Sequence, residues 1–146
     1  MTELLVKKLT PNAIPPEKAK EGDLGYDLFC SVKTVILRGA TVAVPTGVAV
    51  QFPAGWGGVI KDRSSMAMRQ LTISAGVIDN GYRGEIKVAM TNNSGADVTL
   101  DAGQKIAQMV PVPVTGWSVR VVDELSSSHR GEGGFGSTGS HGPAND

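Results

Sequence analysis

Five short segments of this chain carry residues whose types and spacing could do chemistry. Gly76-Val77-Ile78-Asp79-Asn80-Gly81-Tyr82-Arg83-Gly84-Glu85 places a carboxylate and a phenol around Asn80-Gly81, a dipeptide suited to tight hairpins. Exposed functional side chains are common on such turns, and Asp79 could serve there as a base. Taken alone, an Asp ahead of Asn-Gly is more often a turn former than a base. Lys61-Asp62-Arg63-Ser64-Ser65-Met66-Ala67 offers a guanidinium that can fork onto a phosphate, with hydroxyls and amides from Ser64 and Ser65 at the start of a helical turn. The plainer alternative is a serine-capped helix beside a surface arginine. Arg130-Gly131-Glu132-Gly133-Gly134-Phe135-Gly136-Ser137-Thr138-Gly139 combines glycine amides, hydroxyls and an arginine, all able to bind phosphate oxygens, with an aromatic ring on which a base could stack. Its G-x-G-x-x-G spacing is no dinucleotide fingerprint, because no strand precedes it and no helix can follow, and no lysine follows Gly136 as a Walker loop requires. Two weaker segments, Gly22-Asp23-Leu24-Gly25-Tyr26-Asp27-Leu28 and Gly103-Gln104-Lys105-Ile106-Ala107-Gln108, read as turns leading into buried strands.

The elements that must hold these residues are short. Glycine (19) and proline (8) together make 27 of 146 residues, well above the usual share of about 12%, so a helical bundle is excluded in favour of turns and strands. Alternation recurs in Thr41-Val42-Ala43-Val44, in Val48-Ala49-Val50-Gln51-Phe52 and in Leu71-Thr72-Ile73-Ser74-Ala75, each bounded by Gly or Pro. Further strands are expected over 85–91, 97–100, 105–110 and 117–122, with one short helix over 65–70. Asn92-Asn93-Ser94-Gly95 and Asp101-Ala102-Gly103 read as hairpin connections. The expected fold is all-β, a jelly-roll-like barrel or sandwich. Composition changes after Leu125: residues 126–146 hold six glycines and one large apolar residue, Phe135. Such a segment buries too little to offset its ordering entropy, so the expected organisation is a domain over 1–125 and a mobile tail over 126–146.

Composition also removes whole classes of function. Fourteen basic and fourteen acidic residues cancel, which leaves no broad basic footprint for nucleic acid. A lone Cys30 forms no internal disulfide, and two histidines are too few for a zinc cluster. The free thiol, with no secretory signal at the amino terminus, points to a reducing cytoplasmic setting. Residues 39–60 are uncharged but contain Pro45, Pro53 and five glycines, which rules out a membrane helix there.

In this order and spacing the five segments resemble the five motifs of the trimeric deoxyuridine triphosphatases (dUTPases), from Gly22 to Gly139. The resemblance implies a jelly-roll-like subunit, a homotrimer with sites at subunit boundaries, and a tail that closes over the site. It also implies hydrolysis of dUTP to dUMP and pyrophosphate, with water attacking the α-phosphorus. Asp79 then matches the residue that orients and activates the water, Gln108 helps to hold it, and Asp27 belongs to the metal and water network. Arg63, Ser64 and Ser65 would engage the phosphates. Arg130, Gly136, Ser137 and Thr138 would hold the terminal phosphate region, and Phe135 would cover uracil. Tyr82 would pack under deoxyribose and exclude a ribose 2′-hydroxyl, while the turn at Gly76, Val77, Ile78 and Asp79 would read uracil through its backbone. Lys87 matches a pocket-lining position. Mg2+ would ride on the phosphates and waters, with no direct protein ligand. One departure stands out: many bacterial relatives carry an asparagine six positions before the catalytic aspartate, and here that position is Ile73.

Other readings remain to be weighed. A dCTP deaminase shares the subunit fold and the Arg-Ser-Ser motif but lacks the Gly-Phe-Gly-Ser-Thr-Gly tail, and a bifunctional enzyme is a further variant. A catalytically quiet binding module on this fold would have no reason to keep Asp79, Tyr82, Gln108, Arg130 and Phe135 together. A regulatory protein partner cannot be read from the sequence.

Overall fold

The computed structural model describes residues 2–144; Met1, Asn145 and Asp146, at the ends of the two expected segments, lie outside it. Contacts divide the chain into a unit Met1–Thr115 and a second unit Gly116–Asp146, a division that falls ahead of the composition change after Leu125. The first unit is all-β apart from one short helix. Its elements are β1 (Leu5–Lys8), β2 (Tyr26–Phe29), β3 (Thr34–Ile36), β4 (Thr41–Gln51), β5 (Trp56–Asp62), α1 (Ser64–Met68), β6 (Leu71–Ser74), β7 (Val77–Ile78), β8 (Glu85–Asn92), β9 (Val98–Leu100) and β10 (Lys105–Pro113).

One sheet runs β1-β4-β8-β6, a second runs β2-β10-β5-β7, and β3 pairs with β9. Leu28, Ile36, Leu71, Ile86, Val88, Met90, Ile106 and Met109 are buried in one apolar cluster. The two alternating runs expected over 41–52 form a single strand. Pairing with β8 is regular from Thr41 to Pro45, then slips so that Ala49 faces Glu85. The irregularity falls where proline cannot donate to the ladder and where Gly47 has φ of +71°. Alternation does not mark β5, whose Gly57 and Gly58 interrupt it. A Cβ on Gly58 would lie 2.7 Å from Phe52 Cζ and 3.1 Å from Met109 Cγ, so the core needs that bare backbone.

Three connections depart from their sequence reading. Asn92-Asn93-Ser94-Gly95 joins no hairpin: it leads from β8 to β9, which belong to different sheets. Asn92 is fully buried, and its amide donates to Ile36 O (2.9 Å) and Ala96 O (2.8 Å), so the residue serves as an internal brace. Asp101-Ala102-Gly103 is a turn, yet it too links β9 to β10 across sheets. No strand forms over 117–122, where Trp117, Val119 and Val121 are 87%, 93% and 95% exposed. A strand needs a ladder partner for its N–H and C=O groups, and the described residues provide none there. Among the described residues no helix is long and apolar enough to cross a membrane.

Candidate active site

On the first unit the expected site residues gather in two separate depressions. The first, about 300 Å3, is polar and includes Asp27, Arg63, Ser64, Ser65, Lys105 and Gln108. Asp27 leaves the edge strand β2 opposite Gln108 on β10, so the two side chains share a face. Both Asp27 oxygens carry ion pairs: Oδ1 to Arg63 Nε at 3.3 Å and Oδ2 to Lys105 Nζ at 2.8 Å. Gln108 Nε2 donates to Asp62 O at 2.9 Å, which leaves Oε1 to accept from a water. Gly25 makes room for that amide, since a Cβ there would collide with Gln108.

Helix α1 starts one residue earlier than the sequence suggested. Arg63 is its N-cap residue and makes no side-chain cap bond, so neither serine serves as the cap. Ser64 and Ser65 instead occupy the first turn, where backbone N–H groups lack intrahelical partners. Arg63 Nη1 donates to Ser65 Oγ at 3.4 Å. The pocket therefore presents a guanidinium, an ammonium, two hydroxyls and first-turn amides, a donor-rich set suited to phosphate oxygens. Among the described residues no three His, Cys, Asp or Glu side chains form a metal-binding group. Asp27 is the carboxylate of this pocket held by two cations, Arg63 on one oxygen and Lys105 on the other.

The second depression, about 240 Å3, is lined by Gly76, Val77, Ile78, Asp79, Tyr82 and Lys87, with Ala75 and Glu85. It is built on the edge strand β7. Ile60 N donates to Gly76 O at 2.7 Å, and the register continues Val59 to Val77 and Gly58 to Ile78. Antiparallel alternation then turns the Val77 N–H and C=O away from β5 and leaves a donor and an acceptor side by side on the open edge. Such a pair is complementary to a planar ring carrying an adjacent acceptor and N–H. Gly76 has φ of +93°, and a Cβ there would lie 2.9 Å from Ile60 O. Gly76→Ala should therefore destabilise the protein by about 1–3 kcal/mol, through a left-handed alanine and a backbone clash. Chemical denaturation would check it, and an unchanged midpoint would refute this account of the turn.

The Asn80-Gly81 turn forms, with Tyr82 N donating to Asp79 O at 3.1 Å, but it makes no hairpin. β7 pairs with β5, whereas β8 pairs with β4 and β6, so the turn carries the chain from one sheet to the other. Asn80 Nδ2 anchors it by donating to Pro53 O (2.9 Å) and Trp56 O (2.8 Å). Asp79 is exposed at the pocket rim and makes no side-chain hydrogen bond or ion pair among the described residues. Tyr82 Oη donates to Glu85 O at 2.8 Å, and bare Gly84 lets the ring fold back, leaving it 44% exposed beside the pocket. Ile73 does not line this depression; its N–H donates to Asp62 Oδ2 at 3.3 Å.

The remaining expected residues lie in the second unit. Turns close from Gly133 N to Arg130 O, from Ser137 N to Gly134 O and from Gly139 N to Gly136 O. Arg130 Nε donates to Gly133 O at 2.7 Å. Phe135 is fully exposed and holds φ of +50°, a left-handed conformation that is costly for a non-glycine residue. Sequence reasoning missed two residues of the first unit. Lys105 was visible only as the first residue of an expected strand after a turn, and Asn80 only as a turn former.

A family model described as dUTPase matches residues 11–139, which spans all five segments. The chain belongs to the dUTPase family. It is 44% identical over 142 residues to the deoxyuridine 5'-triphosphate nucleotidohydrolase of Clostridium acetobutylicum, covering 95% of this chain and 98% of the relative. The enzyme of the same name from Paramecium bursaria Chlorella virus 1 is 40% identical over 140 residues, covering 95% and 99%. Among solved structures, a dUTPase mutant of Staphylococcus bacteriophage 80alpha with dUpNHpp superposes with a TM-score of 0.89 at 30% identity, covering 95% of this chain and 99% of that one. A mutant dUTPase of phage phi11 of S. aureus, described with a structural Mg(II) ion, gives 0.79 at 28% identity, covering 86% and 99%. The jelly-roll-like dUTPase fold expected from the sequence is thus the fold observed.

Proposed function

We propose that this dUTPase-family chain is a dUTP diphosphatase, hydrolysing dUTP to dUMP and pyrophosphate by attack of water on the α-phosphorus. Such a reaction keeps uracil out of DNA and supplies dUMP for thymidylate synthesis. The observation that carries the reading is the edge-strand pocket at Gly76 to Asp79. Its outward Val77 amide and carbonyl suit the imide edge of uracil, and they offer a reason why Ile73 can stand where relatives have asparagine. Tyr82 lies beneath the deoxyribose and leaves no room for a 2′-hydroxyl, and Lys87 lines the same pocket.

Asp79 accepts the proton of the attacking water, while Gln108 Oε1 helps to hold that water. Arg63, Ser64 and Ser65 bind the phosphates, and the Asp27 carboxylate orients Arg63. The polar pocket fits a metal that arrives on the triphosphate. Bound in that way, Mg2+ supplies charge neutralisation on the phosphate oxygens. From the tail, Arg130, Gly136, Ser137 and Thr138 hold the terminal phosphate region and Phe135 covers uracil. Phosphoryl transfer depends mainly on alignment and electrostatics, so these positioning groups carry more of the rate than the base alone.

The functional unit is a homotrimer with sites at subunit boundaries. Two features support it: the phosphate-type and uracil-type depressions share no lining residue, and Trp117, Val119, Val121 and Leu125 expose large apolar surface that a second copy would bury. A cyclic arrangement closes such an assembly. The protein acts in the cytoplasm, where its free Cys30 would stay reduced.

Product analysis with dUTP, dCTP, dTTP and UTP, with and without Mg2+, tests the reaction. Pyrophosphate and dUMP from dUTP are expected, and ammonia from dCTP would point to a deaminase instead. Tyr82→Ala should weaken dUTP use and narrow the preference for dUTP over UTP by about tenfold or more, the scale on which a pocket contact discriminates. An unchanged ratio of kcat/KM values would locate sugar selection elsewhere.

A further inference from the structure

Lys105 has no part in the reaction outlined above, yet it faces the phosphate pocket beside Arg63. Its position there depends on an irregularity in β10. With regular alternation Lys105 would share a face with Ala107 and Met109, both fully buried. Between Lys105 and Ala107 the pairing with β2 slips: Lys105 stands opposite Phe29 and Ala107 opposite Leu28, so Ile106 is an extra residue. A bulge of this kind moves the following side chains by one position relative to the preceding ones. Lys105, Gln108 and Asp27 consequently share the pocket face, while Ile106 and Ala107 are both buried.

The ammonium then occupies Asp27 Oδ2 at 2.8 Å, and Arg63 reaches the other oxygen through Nε, at 3.3 Å. Arginine and carboxylate otherwise favour two parallel bonds, which would tie up a second guanidinium nitrogen. We propose that Lys105 is a positioning residue of the phosphate pocket: by holding one oxygen of Asp27 it keeps that carboxylate from closing on Arg63 in bidentate fashion and leaves the outer guanidinium edge for a phosphate. The inference rests on the reading of this pocket as a triphosphate site.

Calorimetric titration of the full-length protein with inorganic tripolyphosphate tests it without requiring turnover. Lys105→Met should weaken binding about tenfold, the scale of one charge-assisted contact, and Lys105→Arg should retain it. With dUTP, Lys105→Met should raise KM by a similar factor and leave kcat within about threefold. The deciding variant is Lys105→Met combined with Asp27→Asn. Once no carboxylate remains to sequester Arg63, the lysine has nothing left to hold, and the double variant should bind within about twofold of Asp27→Asn. A full tenfold gap between those two would mean that Lys105 touches the anion directly, and would overturn the positioning role. Equal affinities of the wild type and Lys105→Met, or no binding by the wild type, would overturn it as well. Lys105→Gln serves the same comparison should the methionine variant not fold. Loss of dUTP hydrolysis by the wild type, with the tripolyphosphate pattern intact, would count against the dUTP reading and leave the Lys105 assignment standing.

Discussion

Asp79→Asn is expected to fold, assemble and bind dUTP, yet turn it over about 10²–10⁴ times more slowly, the usual cost of removing a general base. The fold should be indifferent because Asp79 is exposed and its side chain has no bonded partner among the described residues. The turn that carries it is held by main-chain and Asn80 bonds that the substitution leaves in place. Asparagine keeps the size and one oxygen but has no negative charge with which to take a proton. Single-turnover measurements with a separate determination of dUTP affinity would divide binding from chemistry. Turnover near that of the wild type would remove Asp79 from the role of base.

Truncation after Leu125 is expected to leave an intact trimer that unfolds at nearly the wild-type temperature and has little activity. Every residue of the buried apolar cluster precedes the cut, so stability should hardly change. The cut removes Arg130, Phe135, Ser137 and Thr138, the groups assigned to clamping the phosphate and covering the base. Loss of alignment and of protection from bulk water is reason enough for the rate to fall by orders of magnitude. If a neighbouring chain supplies the tail, mixed trimers should recover activity. Truncated subunits that keep Asp79 would then work with tails lent by full-length Asp79→Asn subunits. Refolding the two weakly active proteins together should restore hydrolysis. No recovery in demonstrated mixed trimers would mean that each tail serves its own subunit, and full activity of the truncated protein would reduce the tail to an ornament.

The candidate site residues were legible in the sequence because they sit in local strings. Arg63-Ser64-Ser65, the turn from Gly76 to Tyr82 and the glycine-rich run around Phe135 each keep their residue types within a few positions. The all-β class was equally local, since alternation and turn residues act over four to eight positions. Pairing was not legible. Asn92-Gly95, Asp101-Gly103 and Asn80-Gly81 all have the composition of hairpin loops, and in the structure each leads between different sheets. Turn chemistry determines that the chain bends; which strand it then meets is decided by burial of apolar faces from distant segments. The alternation over 117–122 shows the same limit in reverse, because a suitable strand sequence forms no ladder without a partner edge. The placing of Lys105 beside Asp27 was likewise beyond the sequence, since a bulge is a mismatch between two strands and exists in neither strand alone. So the sequence by itself determined which segments hold candidate residues, and tertiary pairing alone decided what meets there: Asp27 with Arg63 and Lys105, and the Val77 backbone on an open sheet edge.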